Sequence, residues 1–307
     1  MLIFYLYRCS QDKSVYLQKI NHLNIMDRVS NRQTTWYLVN IKARREQTTE
    51  HYVQVFRSLY EQDPLVGFPR GGKSGSLKYV TFSNLLDENG NPNWIQIGLL
   101  SYTIIDPEAF YNKRSREDVT MDWNDDIVAN KKETDFYFIP SVHTLAVKCN
   151  SDISLKNIIF YLSEALNRVE PDTFDVDVII ERDILERILN AHAVTHLYAN
   201  ISYSNPGHTR GFEAVFDRKL REMGASRIEF TATGSKEHPL NSEDDGMLQS
   251  LVNLSEENGY VQATIQSTEN AKLEKIDSSE HPRKLVVPQI VNDVCSTIYN
   301  TIRSIIH

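Results

Sequence analysis

Cysteine is scarce: Cys9, Cys149 and Cys295 are the only three in 307 residues. They are odd in number, far apart and in no Cys-x-x-Cys or Cys/His spacing. That argues against a disulfide framework and fits a reducing compartment. Each reads as a small buried apolar residue. Long apolar runs are missing too, and none approaches the roughly 20 residues of a membrane-spanning helix. The opening Met1-Leu2-Ile3-Phe4-Tyr5-Leu6-Tyr7-Arg8 is apolar but short. No basic segment precedes it and no small-residue cleavage site follows, so it reads as a first β-strand rather than a signal peptide. The expected compartment is the bacterial cytoplasm, with no membrane partner. Catalytic signatures are equally sparse. There is no Gly-x-Ser-x-Gly elbow and no convincing Cys/His pair. His192 and His196 are four apart with no Glu beside the first, so the metalloprotease pattern is absent, and His208 is the nearest third candidate. The chain therefore leans away from an enzyme, and no metal or cofactor is expected.

What is present is an ordinary globular composition, 41% hydrophobic and 24% charged, enough for one large domain or two smaller ones. The net charge is −8, unevenly spread. Residues 1–80 carry a net +6 and residues 81–307 a net −14. A basic N-terminal part on an acidic body implies either a local polyanion site or mutual attraction of the two parts.

Strands are expected at residues 1–9 and 34–45, then a helix over 49–62 with Tyr52, Val55, Phe56 and Leu59 on one face and Thr48 or Thr49 as its cap. Residues 63–76 hold two prolines and four glycines and read as a loop. Strands come next at 77–82 and 94–105. Residues 106–135, with nine acidic and five basic side chains, read as a long loop or linker. From 136 onward strands and helices alternate, ending in a helix over about 289–305. The expected fold is α+β: a basic β-rich part over 1–105, the linker 106–135, and a mixed part over 136–307.

One exact motif occurs. Gly67-Phe68-Pro69-Arg70-Gly71-Gly72-Lys73-Ser74 fits G-x-x-x-x-G-K-[ST], making Gly67, Gly72, Lys73 and Ser74 a candidate nucleotide loop. Such a loop needs a strand before it and a helix after it. Here a helix precedes and a strand pattern comes after, so a mobile glycine turn, or a loop touching nucleic-acid phosphates, competes with nucleotide hydrolysis. The basic and aromatic residues Tyr5, Tyr7, Arg8, Trp36, Tyr37, Lys42, Arg44 and Arg45 suit phosphate neutralisation and base stacking, or equally a half-buried sheet. Asp175, Asp177 and Glu181 lack the lysine spacing of a metal nuclease and read as a solvated strand face. Arg210, Arg218, Lys219 and Arg221, mixed with acids, read as a solvated helix.

Several stretches, among them Thr34–Val39, Phe136–Pro140, Asn200–Gly207 and Glu257–Ala263, resemble an uncharacterised family of bacterial proteins found with phage-defence genes. More distantly, the Asp63–Pro69 loop, the strand and turn around Phe136–Lys148 and the strand at Phe174–Ile180 are similar to the RexA exclusion proteins of lambdoid phages. That likeness implies a sequence-nonspecific, DNA-binding homodimer, with DNA favoured over RNA. The resulting expectation is a non-enzymatic nucleic-acid-binding sensor or adaptor in anti-phage defence. Arg44, Arg45, Arg70, Lys73 and Lys78 are its expected phosphate contacts. Two alternatives stay open: an interaction component that binds another defence protein, and a nucleotide hydrolase or nuclease with an unrecognised site.

Overall fold

The computed structural model describes residues 33–44, 48–122, 124, 126–204, 211–242, 246–288 and 293–306. The strand expected at 1–9, with Tyr5, Tyr7 and Arg8, lies outside them, as do Arg45, His208 and Arg210. Among the described residues the chain is mixed α/β, with a β-rich N-terminal region and a C-terminal helix, as its sequence implies.

The first sheet takes its strands from both ends of the chain. It is built from β1 (Gln33–Ala43), β2 (Val66–Gly67), β3 (Ser74–Phe82), β4 (Ile95–Thr103), β7 (Ala129–Ile139), β8 (Thr144–Val147), β9 (Phe174–Val178) and β14 (Lys284–Pro288). Their order is β14-β1-β8-β7-β4-β3-β2, all antiparallel. At Val39 and Asn40, β1 pairs with β8 and β9 at once, so these lie on opposite edges. At Tyr37 it pairs with β8 and β14, so β9 and β14 succeed one another along the same edge of β1. The stretch 106–135 carries a separate hairpin, β5 (Phe110–Asn112) and β6 (Glu117–Val119), and then the first seven residues of β7.

Two helices cover one face of this sheet. In α1 (Thr49–Gln62) the Thr48 Oγ1 accepts from His51 N at 3.2 Å, and Tyr52, Val55, Phe56 and Leu59 are the buried stripe. Asp63 turns left-handed at φ 39° and Pro64 stops the helix. In α2 (Leu155–Val169) the Ser154 Oγ accepts from Asn157 N, and Ile158, Tyr161, Leu162, Ala165 and Leu166 are buried. Both pack on Val39, Ile41, Ile97, Phe136 and Phe138. The opposite face carries Trp36, Leu38, Tyr137 and Ile139 under Ile298 and Ile302 of the last helix, α6 (Val294–Ile306). A central strand buried on both faces has to be apolar throughout, which explains the unbroken run in β1. Trp36 and Tyr137, with ring centroids 5.2 Å apart, belong to this core and are not a base-stacking platform.

The second sheet has the order β11-β10-β12-β13, from β10 (Ala193–Ser202), β11 (Arg227–Thr233), β12 (Gly259–Gln266) and β13 (Glu274–Asp277). Three helices accompany it: α3 (Arg182–Leu189), α4 (Gly211–Glu222) and α5 (Met247–Asn258). Leu185, Ile188, Leu251 and Val252 close its core over Leu197, Ala199 and Ile265. Between α5 and β12, Gly259 sits at φ +146°, and a Cβ there would lie 2.0 Å from the Asn200 carbonyl oxygen. Neither strain nor clash is relieved by moving a side chain. Gly259→Ala is therefore expected to cost at least about 3 kcal/mol, read as a lower urea midpoint.

Candidate functional site

The expected phosphate contacts fall into two groups. Arg44, at the end of β1, faces Asp172 just past the C-terminus of α2, at 3.8 Å. Lys73 pairs with Asp152 just before the N-terminus of the same helix, at 3.0 Å. Fifteen residues of α2 separate the two, a helix length of about 22 Å.

At the Lys73 end the candidate nucleotide loop is a hairpin. Val66 and Gly67 pair with Gly75 and Ser74, and Phe68 N donates to Lys73 O at 2.8 Å. Gly71 and Gly72 take positive φ of 85° and 59°, which the reversal requires. Ser74 opens the strand β3 rather than a helix aimed at a phosphate, and its side chain is buried. Arg70 is exposed at the hairpin tip.

Two further lysines join this end from β7, inside the stretch read as a linker. Asp152 lies 3.0 Å from Lys73 and 3.9 Å from Lys132. Glu133 lies 2.6 Å from Lys78 and 3.6 Å from Lys131. Hydrogen bonds from Lys73 and then Ser151 hold the Asp152 carboxyl below its usual range, and Lys78 does the same for Glu133. Each carboxylate is thus shared by two ammonium groups. Four lysines and Arg70 against two acids leave a surface rim of net positive charge across β3, β4 and β7. Alternation puts Lys132 on the face of Phe136 and Phe138, and Lys131 on the other, so the rim wraps the strand end. Lys131 and Lys132 were hidden in the sequence by nine acids around them.

The second site lies where the two sheets meet. Lys42 does not reach solvent: it is fully buried and bonds Asp177 and Ser202 Oγ. It is therefore no phosphate contact. Asp177 in turn accepts from Arg227 at 2.8 and 3.0 Å and from Ser202 Oγ at 3.2 Å. Arg227 also bonds Asn200 at 2.6 Å. Burial pushes the Asp177 carboxyl up, but the Lys42 ammonium and the Arg227 guanidinium outweigh it and hold the carboxyl at about 2. Burial pushes the Lys42 ammonium down, against the pull of Asp177. The face of β9 that carries Asp175 and Asp177 is thus the interface with the second sheet, not a solvated surface.

Arg221 completes the junction. Its guanidinium donates to the carbonyls of Arg44 and Ser204, its Nε lies 3.2 Å from Asp217, and it sits 4.8 Å over the Tyr203 ring. It fixes the ends of β1 and β10 side by side, a role that the mixed-charge reading of its helix misses. Among the described residues no three His, Cys, Asp or Glu side chains converge as a metal site. His196 instead contacts Thr233 on the neighbouring strand. Among them too, no helix is long and apolar enough to cross a membrane.

One family model matches residues 32–304, nearly the whole chain. The chain belongs to the DUF4747 family, a domain of unknown function. Both the lysine rim and the sheet junction lie inside the DUF4747 match. No curated protein matches the chain.

Proposed function

We propose that this DUF4747 protein is a sequence-nonspecific nucleic-acid binder acting as a sensor or adaptor in anti-phage defence, cytoplasmic and homodimeric. The observation that carries the binding reading is the lysine rim: Lys73, Lys78, Lys131 and Lys132 around two carboxylates, with Arg70 beside them. Point charges of this kind neutralise phosphates and carry no base code. The resemblance to proteins found with phage-defence genes supports the defence setting. Fluorescence anisotropy with a labelled random-sequence duplex and a single strand, at low and physiological salt, tests the reading. Affinity that falls steeply with salt and ignores sequence is expected; no binding at low salt removes it.

One observation favours the interaction-component reading. Among the described residues the hairpin β5–β6 pairs only with itself, and it leaves Tyr111 59% and Val119 36% exposed, with Met121 and Ile127 exposed nearby. An isolated two-stranded hairpin is marginal in water and gains stability from a covering surface. A stable complex with another defence protein, unchanged by nuclease treatment and lost when Tyr111 becomes Ser, is the outcome that supports this reading.

A further inference from the structure

Building on the nucleic-acid reading of the lysine rim, we infer that Tyr79 is a stacking platform for one unpaired base, so that the rim takes a single strand in preference to a duplex. A β-bulge places the ring. The register of β3 on β4 slips between Leu77 and Tyr79, which leaves Lys78 as the extra residue. Neighbours on a regular strand point to opposite faces. Here both reach one face of β7: Lys78 Nζ lies 2.6 Å from Glu133, and Tyr79 OH donates to Asp135 at 2.5 Å. Glu133 and Asp135 are two apart on β7, so a cation and a ring adjacent in sequence stand side by side on the same face.

That face is open at this end. Along β7, Ile139 and Tyr137 are buried in the core under α6, Asp135 is half-buried, and Glu133 and Lys131 are exposed. The Tyr79 ring packs against β4 at Gly98: three ring carbons come within 2.8 Å of where a Cβ at that glycine would be, so only glycine leaves it room. Its hydroxyl is fixed by Asp135 and by Gln96, whose Nε2 donates to it at 3.3 Å. The half-buried ring is thus held against the sheet with its remaining surface outward, and among the described residues no second ring or cation stacks on it. Burial, and then the bond to Asp135, push the phenol up to about 12, so the ring stays neutral. Charge divides the face between base and phosphate. Asp135 repels a phosphate at the ring, but a base is neutral, and every base has a π-face. Phosphates fit further along β7, where Lys78 and Lys131 flank Glu133. Glu133 is about 7 Å along the strand from Asp135, a span that one nucleotide covers. A duplex keeps its bases stacked on one another and offers this ring none.

Fluorescence anisotropy of the full chain with labelled oligothymidylate and with a duplex of equal length, at one low salt concentration, tests the inference. The parent is expected to bind the single strand more tightly. Tyr79→Leu fills the space over Gly98 without a π-system. It should weaken single-strand binding about tenfold and leave duplex affinity unchanged. Tyr79→Phe keeps the ring and should keep the single-strand preference. Tyr79→Trp adds a readout that a purely structural ring would not move: the tryptophan emission should be quenched by oligothymidylate beyond any quenching in the parent. Equal affinity of the parent for the two forms, or a leucine variant that loses neither form or both alike, overturns the platform and leaves the rim standing. Unchanged tryptophan emission on binding overturns it too, whether or not the leucine variant folds. A parent that binds neither form overturns the platform and the rim reading together.

Discussion

Asp177→Ala is expected to lower the unfolding free energy by about 3–5 kcal/mol. The substitution leaves the Lys42 ammonium in the interior with no carboxylate bonded to it: its remaining hydrogen bond is to the Ser202 hydroxyl, and Asp175 and Glu257 act on it only through their charge. It also frees Arg227 from its two bonds at 2.8 and 3.0 Å. Lys42→Met is expected to cost less, about 1–2 kcal/mol. In that variant Asp177 keeps Arg227, and the methionine fills the apolar path of the lysine stem. Urea unfolding of both variants checks the order. Equal losses would mean that the carboxylate is held by Lys42 alone.

Acid unfolding carries the same information. The Asp177 carboxyl titrates near 2 in the folded chain against an ordinary value of 3.8. A folded value below the unfolded one means that the unfolded chain takes up the proton first as pH falls. The stabilisation is therefore complete above 3.8 and is lost as pH drops towards about 2. Asp177→Asn should remove that part of the slope, so its stability changes less than the parent's between pH 4 and pH 2.

How much of this was legible in the sequence depends on the range of the interaction. The helix α1 was readable to the residue, because its cap at Thr48 and its stripe from Tyr52 to Leu59 are local signals. The alternation of β9 was readable too, since Phe174 and Val176 are buried on the α2 side. What covers the other side was not. A period of two says which side chains share a face, but not which element lies over it, and Asp177 is covered by Ser202 and Arg227 from a different sheet. The start of β7 was missed for the opposite reason. Ala129–Glu133 extends past the packed core: Asn130 to Glu133 are exposed, three of them charged, and the segment carries no apolar alternation. The lysine rim sits on that extension. A strand that outruns its core looks like a loop in sequence, and this one brings Lys131 and Lys132 to Glu133 and Asp152.

Replacing Lys73 and Lys132 together by Ala should flatten the salt dependence of nucleic-acid binding while the fold stays intact. Five cations against two carboxylates give the rim about three net charges to set against phosphates. Raising salt fourfold should then weaken duplex binding about 40-fold. Without Lys73 and Lys132, Asp152 loses both ammonium neighbours and the rim keeps about one net charge. The same salt change should then weaken binding only about fourfold. Neither lysine supports the core: Lys132 is 54% exposed and Lys73 26%, so the melting midpoint should hardly move. Arg44→Glu is the matched control, because Arg44 lies beyond the far end of α2. Duplex affinity that survives Arg44→Glu and falls with the lysines places the contact at the β3–β7 rim. The reverse pattern moves it to the sheet junction. A parent-like salt slope in the double lysine variant removes the rim from the proposal, because two lost phosphate contacts have to change the number of counterions released.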